Sequence, residues 1–209
     1  THSYSSAASD VYKRQGHAFM RTRPELETPD VQFFFVHGSF ASSTDRKLDK
    51  EPGMTLAVYQ CRPESQGSIH IGGKNPFDAP KIRPNFLADP LDQKTLIDGL
   101  HLCRSIGETR SMSQYISHEM NPGINVTSDE QMLQFARDTG ATTYHPMGTC
   151  KMGSDRLAVV DDHLRVHGLE GLRVVDASIM PTMPSGNINA PVIMIAEKAA
   201  DMIKADAIN

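Results

Sequence analysis

The stretch MTLAVYQCRPESQGSIHIG, Met54–Gly72, decides the fold class of this chain. It contains two short apolar runs, MTLAVYQC and GSIHIG, of the kind that form β-strands. The segment between them, Arg62–Gln66, is long enough for a hairpin loop. An earlier run, Val31–Val36 (VQFFFV), predicts a buried strand because it is short, apolar and ended by a His-Gly pair. We therefore expect an antiparallel meander.

The segments around these strands are expected to be irregular. Residues 39–53 are largely polar and are predicted to form a loop. Four prolines between Asn75 and Pro90 forbid a helix and leave at most a short edge strand near Ile82.

Two helices are predicted next. Apolar side chains recur at helical spacing from Asp92 to about Met112, with Asp92 as the expected N-cap. Ser128 and Gln131 have the spacing of a capping box, which opens a second helix that runs to about Asp138.

The last third of the chain combines glycine-rich turns with regular elements. We expect a β-type run at Ala141–Tyr144, a strand at Leu172–Val175 and a final helix from about Ala190 to Lys204. The resulting fold class is α+β, an antiparallel sheet with covering helices, without a GxGxxG strand-turn-helix unit.

Composition and charge exclude several classes of protein. The net charge of −4, from 21 basic and 25 acidic residues, gives no footprint for nucleic acid. No apolar stretch reaches the ~20 residues of a transmembrane helix. Three widely spaced cysteines argue against a disulfide scaffold or a zinc site, and no metal is expected. These features favour a cytoplasmic location, with membrane association left open.

The first 15 residues differ in character from the rest. They are rich in Ser and Ala, have no apolar leader segment, and are expected to be either non-native or a disordered start.

His145 is the first candidate for chemistry. It is expected where a strand meets a loop, and Pro146 restricts the backbone beside it, which fixes the direction of the imidazole as a general base requires. A surface or structural histidine is the alternative. A zinc site that pairs His145 with Cys150 lacks a second pair of ligands.

Two further segments are candidates for a cofactor site. Small residues at Asp176-Ala177-Ser178, after the expected strand, would let a ligand approach the backbone, although a plain buried strand is equally consistent. Asn189 is expected to cap the final helix, whose N-terminus would stabilise negative charge. Asn187 lies two residues earlier and either points into a cavity or only makes a turn.

Three motifs in this order resemble those of the glucose-methanol-choline (GMC) oxidoreductases, especially bacterial choline dehydrogenase-like members. They are HPMGTCKMG from His145, VVDDHLRVHGLEGLRVVDASIMP from Val159, and GNINAPVIMIAEKAADMI from Gly186. The segment CRPESQGSIHI at Cys61–Ile71 is similar to the family's substrate-domain pattern, with Gln66 where members often have Arg.

The resemblance implies FAD as cofactor and a small alcohol, choline-like or another primary alcohol, as substrate. It implies His145 as the catalytic base and Asn187 as the residue that orients the alkoxide during hydride transfer to flavin N5. Contacts to FAD are implied for His145, Pro146, Asp176, Ala177, Asn187 and Ile188. The electron acceptor is not implied.

The resemblance also implies a division of the chain. Residues 16–143 would form the substrate-binding domain. Residues 144–209 would form the active-site segment and return, by a C-terminal strand and helix, to an FAD-binding domain whose N-terminal part is absent. That part would be a partner of this chain. The alternative from another class is a non-catalytic fragment or ligand-binding module.

Overall fold

The structure is a computed structural model, and it describes residues 16–42 and 47–208. The expectation for residues 1–15 therefore lies outside the described residues. The chain divides into two compact units, one formed by residues up to Glu64 with Leu87–Thr142, the other by Ser65–Phe86 with Thr143–Asn209. The antiparallel strands and the helices agree with the predicted mixture of α and β structure.

The first unit is built on a three-stranded antiparallel sheet. Its order is β1 (Gly16–Met20), β2 (Val31–Val36) and β5 (Thr55–Gln60), with β2 in the middle. The strands predicted at 31–36 and 54–61 are confirmed. In the predicted loop at 39–53, two short strands pair, β3 (Phe40–Ser42) and β4 (Lys47–Leu48), so that prediction was too simple.

The predicted hairpin was wrong in its pairing. β5 pairs with β2, whereas β6 (Ser68–His70) pairs with β7 (Lys81–Arg83). β6 thus belongs to the other unit, and β7 is the short strand expected near Ile82. Either pairing satisfies the alternating sequence of β6, because strand alternation specifies a face and not a partner.

Helix α1 (Pro90–Glu108) packs on this sheet. Its glycine Gly99 permits the close approach, because a Cβ there would lie 2.7 Å from Val58 Cγ2 and 3.6 Å from Val31 Cγ1. Val31 and Phe33 of β2 are buried, and α1 contacts this strand. Helix α3 (Asp129–Thr139) contributes the fully buried Met132 and has the predicted capping box.

The N-cap of α1 is Asp89 and not Asp92, which corrects the prediction. Asp89 accepts a hydrogen bond from Leu91 N, and Pro90 takes the first helical turn, where its missing N–H costs nothing. The helix ends at Glu108, and a separate four-residue turn, α2 (Arg110–Ser113), follows where one continuous helix to Met112 was expected.

Asp92 instead forms a buried anchor between α1 and the end of β5. Its Oδ1 accepts hydrogen bonds from Gln60 Nε2 at 2.6 Å and Glu64 N at 2.9 Å, and the residue is 1% exposed. We expect Asp92→Ala to lower the free energy of unfolding by on the order of 3 kcal/mol, because the buried carboxylate loses two partly buried hydrogen bonds.

The matched control for this anchor is Asp89→Ala, which removes only the cap and should cost about 1 kcal/mol. Urea unfolding followed by circular dichroism measures both variants. Equal losses for the two would show that Asp92 does not stabilise the unit in this way.

All three cysteines are free thiols. Burial raises the pKa of the Cys103 thiol to about 12. At pH 8 we therefore expect Cys103 to react with iodoacetamide about a thousandfold more slowly than a thiol of ordinary pKa, because only the thiolate is the nucleophile. The rate should rise as the pH approaches 12, and mass spectrometry of the Cys103 peptide measures it. A rate equal to that of glutathione at pH 8 would contradict this.

The second unit has few regular elements besides β6, β7 and the final helix, α4 (Asn189–Ile208). The strand expected at Leu172–Val175 is reduced to a single bridge between Arg165 and Arg173, and Ala141–Tyr144 is not a strand. Glycines at 168 and 171 hold this segment in turns. The helix begins at Asn189 itself, so the cap predicted there is corrected to Ile188, whose carbonyl accepts from Val192 N.

A hydrophobic cluster holds the second unit together. Its buried members come from two turns and from α4, and they are Val160, Leu164, Ile179, Met180, Ile195 and Ala199. At the far end of α4, the Asp206 carboxylate bonds to Arg173 and lies 3.3 Å from Arg165, which ties the helix to the preceding turn. In the residues described, no helix is long and apolar enough to span a bilayer.

Candidate functional site

The loop that carries His145 is attached to the Asp176–Met180 segment by backbone hydrogen bonds. Gly148 N donates to Ala177 O at 3.4 Å, Cys150 N to Ser178 O at 2.9 Å and Met152 N to Ile179 O at 2.8 Å. Two of the three predicted segments are thus adjacent, although about 30 residues separate them in sequence.

Gly148 is the residue that makes this close approach possible. Its φ is +83°, in the left-handed region that glycine occupies without steric cost. A Cβ at this position would lie 3.3 Å from Met180 O. The loop therefore requires glycine both for its turn and for its contact.

His145 and Pro146 are both exposed. Tyr144, directly before them, has a φ of +61°, which is uncommon for an aromatic residue and which turns the chain sharply at His145. The sequence predicted a restricted backbone on the proline side only. No hydrogen bond joins the imidazole of His145 to the side chain of Asn187 among the residues that the structure describes.

Asp176 and Ala177 form the start of a short 3-10 turn, Ala177–Ile179. The Asp176 carboxylate accepts from Ser178 N at 2.7 Å, and its backbone is extended. The exposed carboxylate thus has one oxygen fixed by the chain, while the small Ala177 packs against the hydrophobic cluster. The strand expected at Leu172–Val175 is absent. The Asp-Ala-Ser segment that was expected to end it forms this turn instead.

Asn187 and Ile188 occupy the turn that leads into α4. Asn187 is exposed, whereas Ile188 packs against the hydrophobic cluster. A Cβ on the neighbouring Gly186 would meet no atom within 4 Å, so the turn faces open space. The first backbone N–H groups of α4 point toward this turn, at the N-terminal end of the helix. Pro191 contributes none, because proline has no N–H.

One hydrophobic cluster supports all three segments. Met147 lies two residues after His145, Ala177 follows Asp176, and Ile188 follows Asn187, and each of the three apolar residues packs on that cluster. The segments that carry the candidate side chains thus pack on one hydrophobic core within the second unit. Residues 143–208, as described, hold no cluster of three potential metal ligands.

The supporting residues were not identified from sequence. Met147, Met180 and Ile195 are apolar residues in irregular segments or on a helix that is apolar on several sides, so periodicity gives no signal for them. Each of the three lies inside one of the quoted motifs, and that position is the signal that could have indicated them.

These segments coincide with the region that defines a protein family. The GMC oxidoreductase family model matches residues 63–196, and the chain belongs to this family. The match covers the motifs at His145, Asp176 and Asn187.

Individual relatives agree with this assignment. The chain is 42% identical over 204 residues to an alcohol dehydrogenase [acceptor] of Pseudomonas putida, with 93% of this chain and 37% of the relative covered. It is 42% identical over 197 residues to an oxygen-dependent choline dehydrogenase of Pseudomonas fluorescens (strain SBW25), with 94% and 34% covered.

A solved structure shows the same fold. The pyridoxine 4-oxidase from Mesorbium loti superimposes with a TM-score of 0.80 at 32% identity, over 88% of this chain and 36% of that one. The chain thus spans only about a third of the length of the proteins that it matches, and it corresponds to their C-terminal portion.

Proposed function

We propose that this chain is the C-terminal portion of an FAD-dependent oxidoreductase that oxidises the CH–OH group of a small alcohol. The observation that carries the proposal is the mounting of the His145, Asp176 and Asn187 segments on one hydrophobic cluster. Members of the family are FAD-dependent flavoproteins, and two relatives are named for alcohol and for choline.

His145 would act as the general base. Its exposed imidazole is free to meet a substrate, and the turns at Tyr144 and Pro146 limit the directions in which it points. A ring nitrogen would accept the hydroxyl proton of the alcohol, which leaves an alkoxide on the substrate. Asn187 would donate an amide hydrogen bond to that alkoxide and so fix its orientation.

The residues present fit a flavin. The exposed amide of Asn187 and the N-terminal N–H groups of α4 are hydrogen-bond donors, the combination that suits a planar group carrying negative charge. Ala177 offers backbone without a bulky side chain, beside the Asp176 carboxylate. FAD, when bound, would supply the acceptor for the hydride that leaves the carbinol carbon. His145, Pro146 and Ile188 would complete the contacts.

The same proposal assigns each part of the chain to a domain. Residues 16–143 would belong to the substrate-binding domain, and residues 144–209 would carry the active-site segment and the return to the FAD-binding domain. The N-terminal part of that domain would precede this chain in the complete protein.

The first experiment is spectroscopic. The complete reading frame, including the sequence upstream of this chain, is expressed and its absorbance is recorded before and after addition of primary alcohols, choline among them. A yellow protein whose flavin band is bleached by one alcohol supports the proposal. A colourless protein without a nucleotide-binding domain would instead make this chain a ligand-binding module.

Asn187→Ala tests the second residue of the site. We expect flavin reduction by the substrate to slow about 10-fold, because the alkoxide loses one donor, while the flavin content stays unchanged. Stopped-flow absorbance measures the rate, and the spectrum of the denatured protein measures the flavin. Loss of bound FAD would show that Asn187 is required to hold the cofactor, and an unchanged reduction rate at full flavin content would remove it from alkoxide orientation.

A further inference from the structure

Tyr144 has a strained backbone conformation directly before His145. Its φ of +61° lies in the small left-handed region, which a residue with a Cβ enters only at a steric cost. Three other non-glycine residues share a positive φ, and they are Asn85, Leu87 and Leu164. Glycine adopts this conformation without that cost. The chain therefore holds a strained residue beside its candidate base, where an unstrained one is available.

Packing accounts for the same conformation at Leu164 but not at Tyr144. Leu164 has a φ of +64° and is 4% exposed within the hydrophobic cluster, so burial of its side chain offsets the steric cost. Tyr144 is 69% exposed within the described residues, and its ring gains far less from burial. Backbone strain that packing does not explain is concentrated at functional sites. The candidate functional residue nearest to Tyr144 is His145, the next residue in the chain.

The strain at Tyr144 limits the directions open to the imidazole of His145. For a residue with a Cβ, the left-handed region is a small well, roughly 20° wide in φ and 30° wide in ψ. Glycine moves far more widely at positive φ. On the other side, Pro146 excludes the helical region for His145. The base thus lies between two residues that both narrow its backbone, and Gly148 fixes the path of the loop beyond them.

We propose that Tyr144 is a positioning residue for the proposed oxidation, and that it acts through its main chain by confining the direction of His145. This role rests on the proposed function, because it takes His145 to be the base. Removing the Cβ of residue 144 should therefore relieve strain and loosen the base together. Stability and rate would then change in opposite senses, whereas a residue that only supports the fold would change both in the same sense.

Tyr144→Ala and Tyr144→Gly separate the main chain from the ring, because both lack the ring and only the first keeps a Cβ. In the complete protein, we expect Tyr144→Gly to melt about 1 °C or more above Tyr144→Ala, since glycine relieves the strain. Its flavin should nevertheless be reduced by the alcohol about 5-fold more slowly, at equal flavin content, because the base is less well directed. Scanning fluorimetry and anaerobic stopped flow measure the two quantities. A lower melting temperature or an equal rate for Tyr144→Gly would overturn the proposal.

Tyr144→Asn tests the confinement by a second route. Asparagine keeps a Cβ and tolerates the left-handed conformation, so this variant should reduce its flavin as fast as Tyr144→Ala. A rate as low as that of Tyr144→Gly would show that the Cβ does not direct His145.

Thr143 provides the matched control for stability, because it is adjacent in the chain and its φ is not positive. There the alanine variant should be at least as stable as the glycine variant. A more stable glycine variant at both positions would show that strain at Tyr144 is not the cause. A wild-type protein whose flavin no alcohol bleaches would refute the proposed function and this role together. An active wild type with equal rates in all variants of Tyr144 would refute only the role of Tyr144.

Discussion

Replacing His145 with Ala in the complete protein should slow flavin reduction by the alcohol on the order of 100-fold or more, the usual loss for a general base. The protein should keep its flavin and its stability, because the side chain is exposed and makes no hydrogen bond within the described residues. Stopped-flow bleaching of the flavin band under anaerobic conditions measures the step directly.

The matched control is His163→Ala, which removes an exposed imidazole from the same unit, outside the proposed site. It should change the rate by less than about 2-fold, as expected for a surface substitution without a catalytic role. An unchanged rate for His145→Ala would remove this residue from the mechanism, whatever the control shows.

Gly148→Ala should also slow the reaction, through the position of the His145 loop. An alanine at a φ of +83° costs about 1–2 kcal/mol, and its Cβ would press on Met180 O at 3.3 Å. The loop must shift by a few tenths of an ångström to relieve the contact. We expect flavin reduction to fall about 10-fold, because catalysis is sensitive to small displacements of the base.

Gly168→Ala is the matched control. It distinguishes the cost of a side chain at positive φ from the effect of the contact with Met180 O. Gly168 has a φ of +77°, close to that of Gly148, but a Cβ there meets nothing within 4 Å. Both variants should lose the stability that a side chain at positive φ costs, and Gly148→Ala should lose somewhat more because of its contact, whereas only Gly148→Ala should slow the reaction. Equal rates in the two variants, measured by stopped flow, would show that the contact with Met180 does not position His145.

Signals within a few residues of one another were sufficient for much of the fold. The capping box at Ser128 and Gln131 is present as predicted, because both of its hydrogen bonds lie within four residues. The strands β2 and β5 were also found from their apolar runs. The cap of α1 was misplaced by three residues, since Asp89 and Asp92 are both suitable caps and the sequence does not show which one is buried.

Pairing between distant segments could not be deduced. The sequence of β6 fits a partner on either side, and only the tertiary structure pairs it with β7. The run Leu172–Val175 has the composition of a strand, but it lies between turns and forms a single β-bridge. Local alternation limits which face a residue occupies, whereas the partner depends on the rest of the chain.

The sequence by itself determined the family and the candidate residues, because His145, Asp176 and Asn187 each stand in a motif that is read locally. Only the tertiary structure decided how these motifs are held. Gly148, Cys150 and Met152 bond to the backbone of residues 177–179, and Met147, Ala177 and Ile188 share one core. These contacts join residues far apart in the chain, and their geometry is set by packing, which no local pattern of residues encodes.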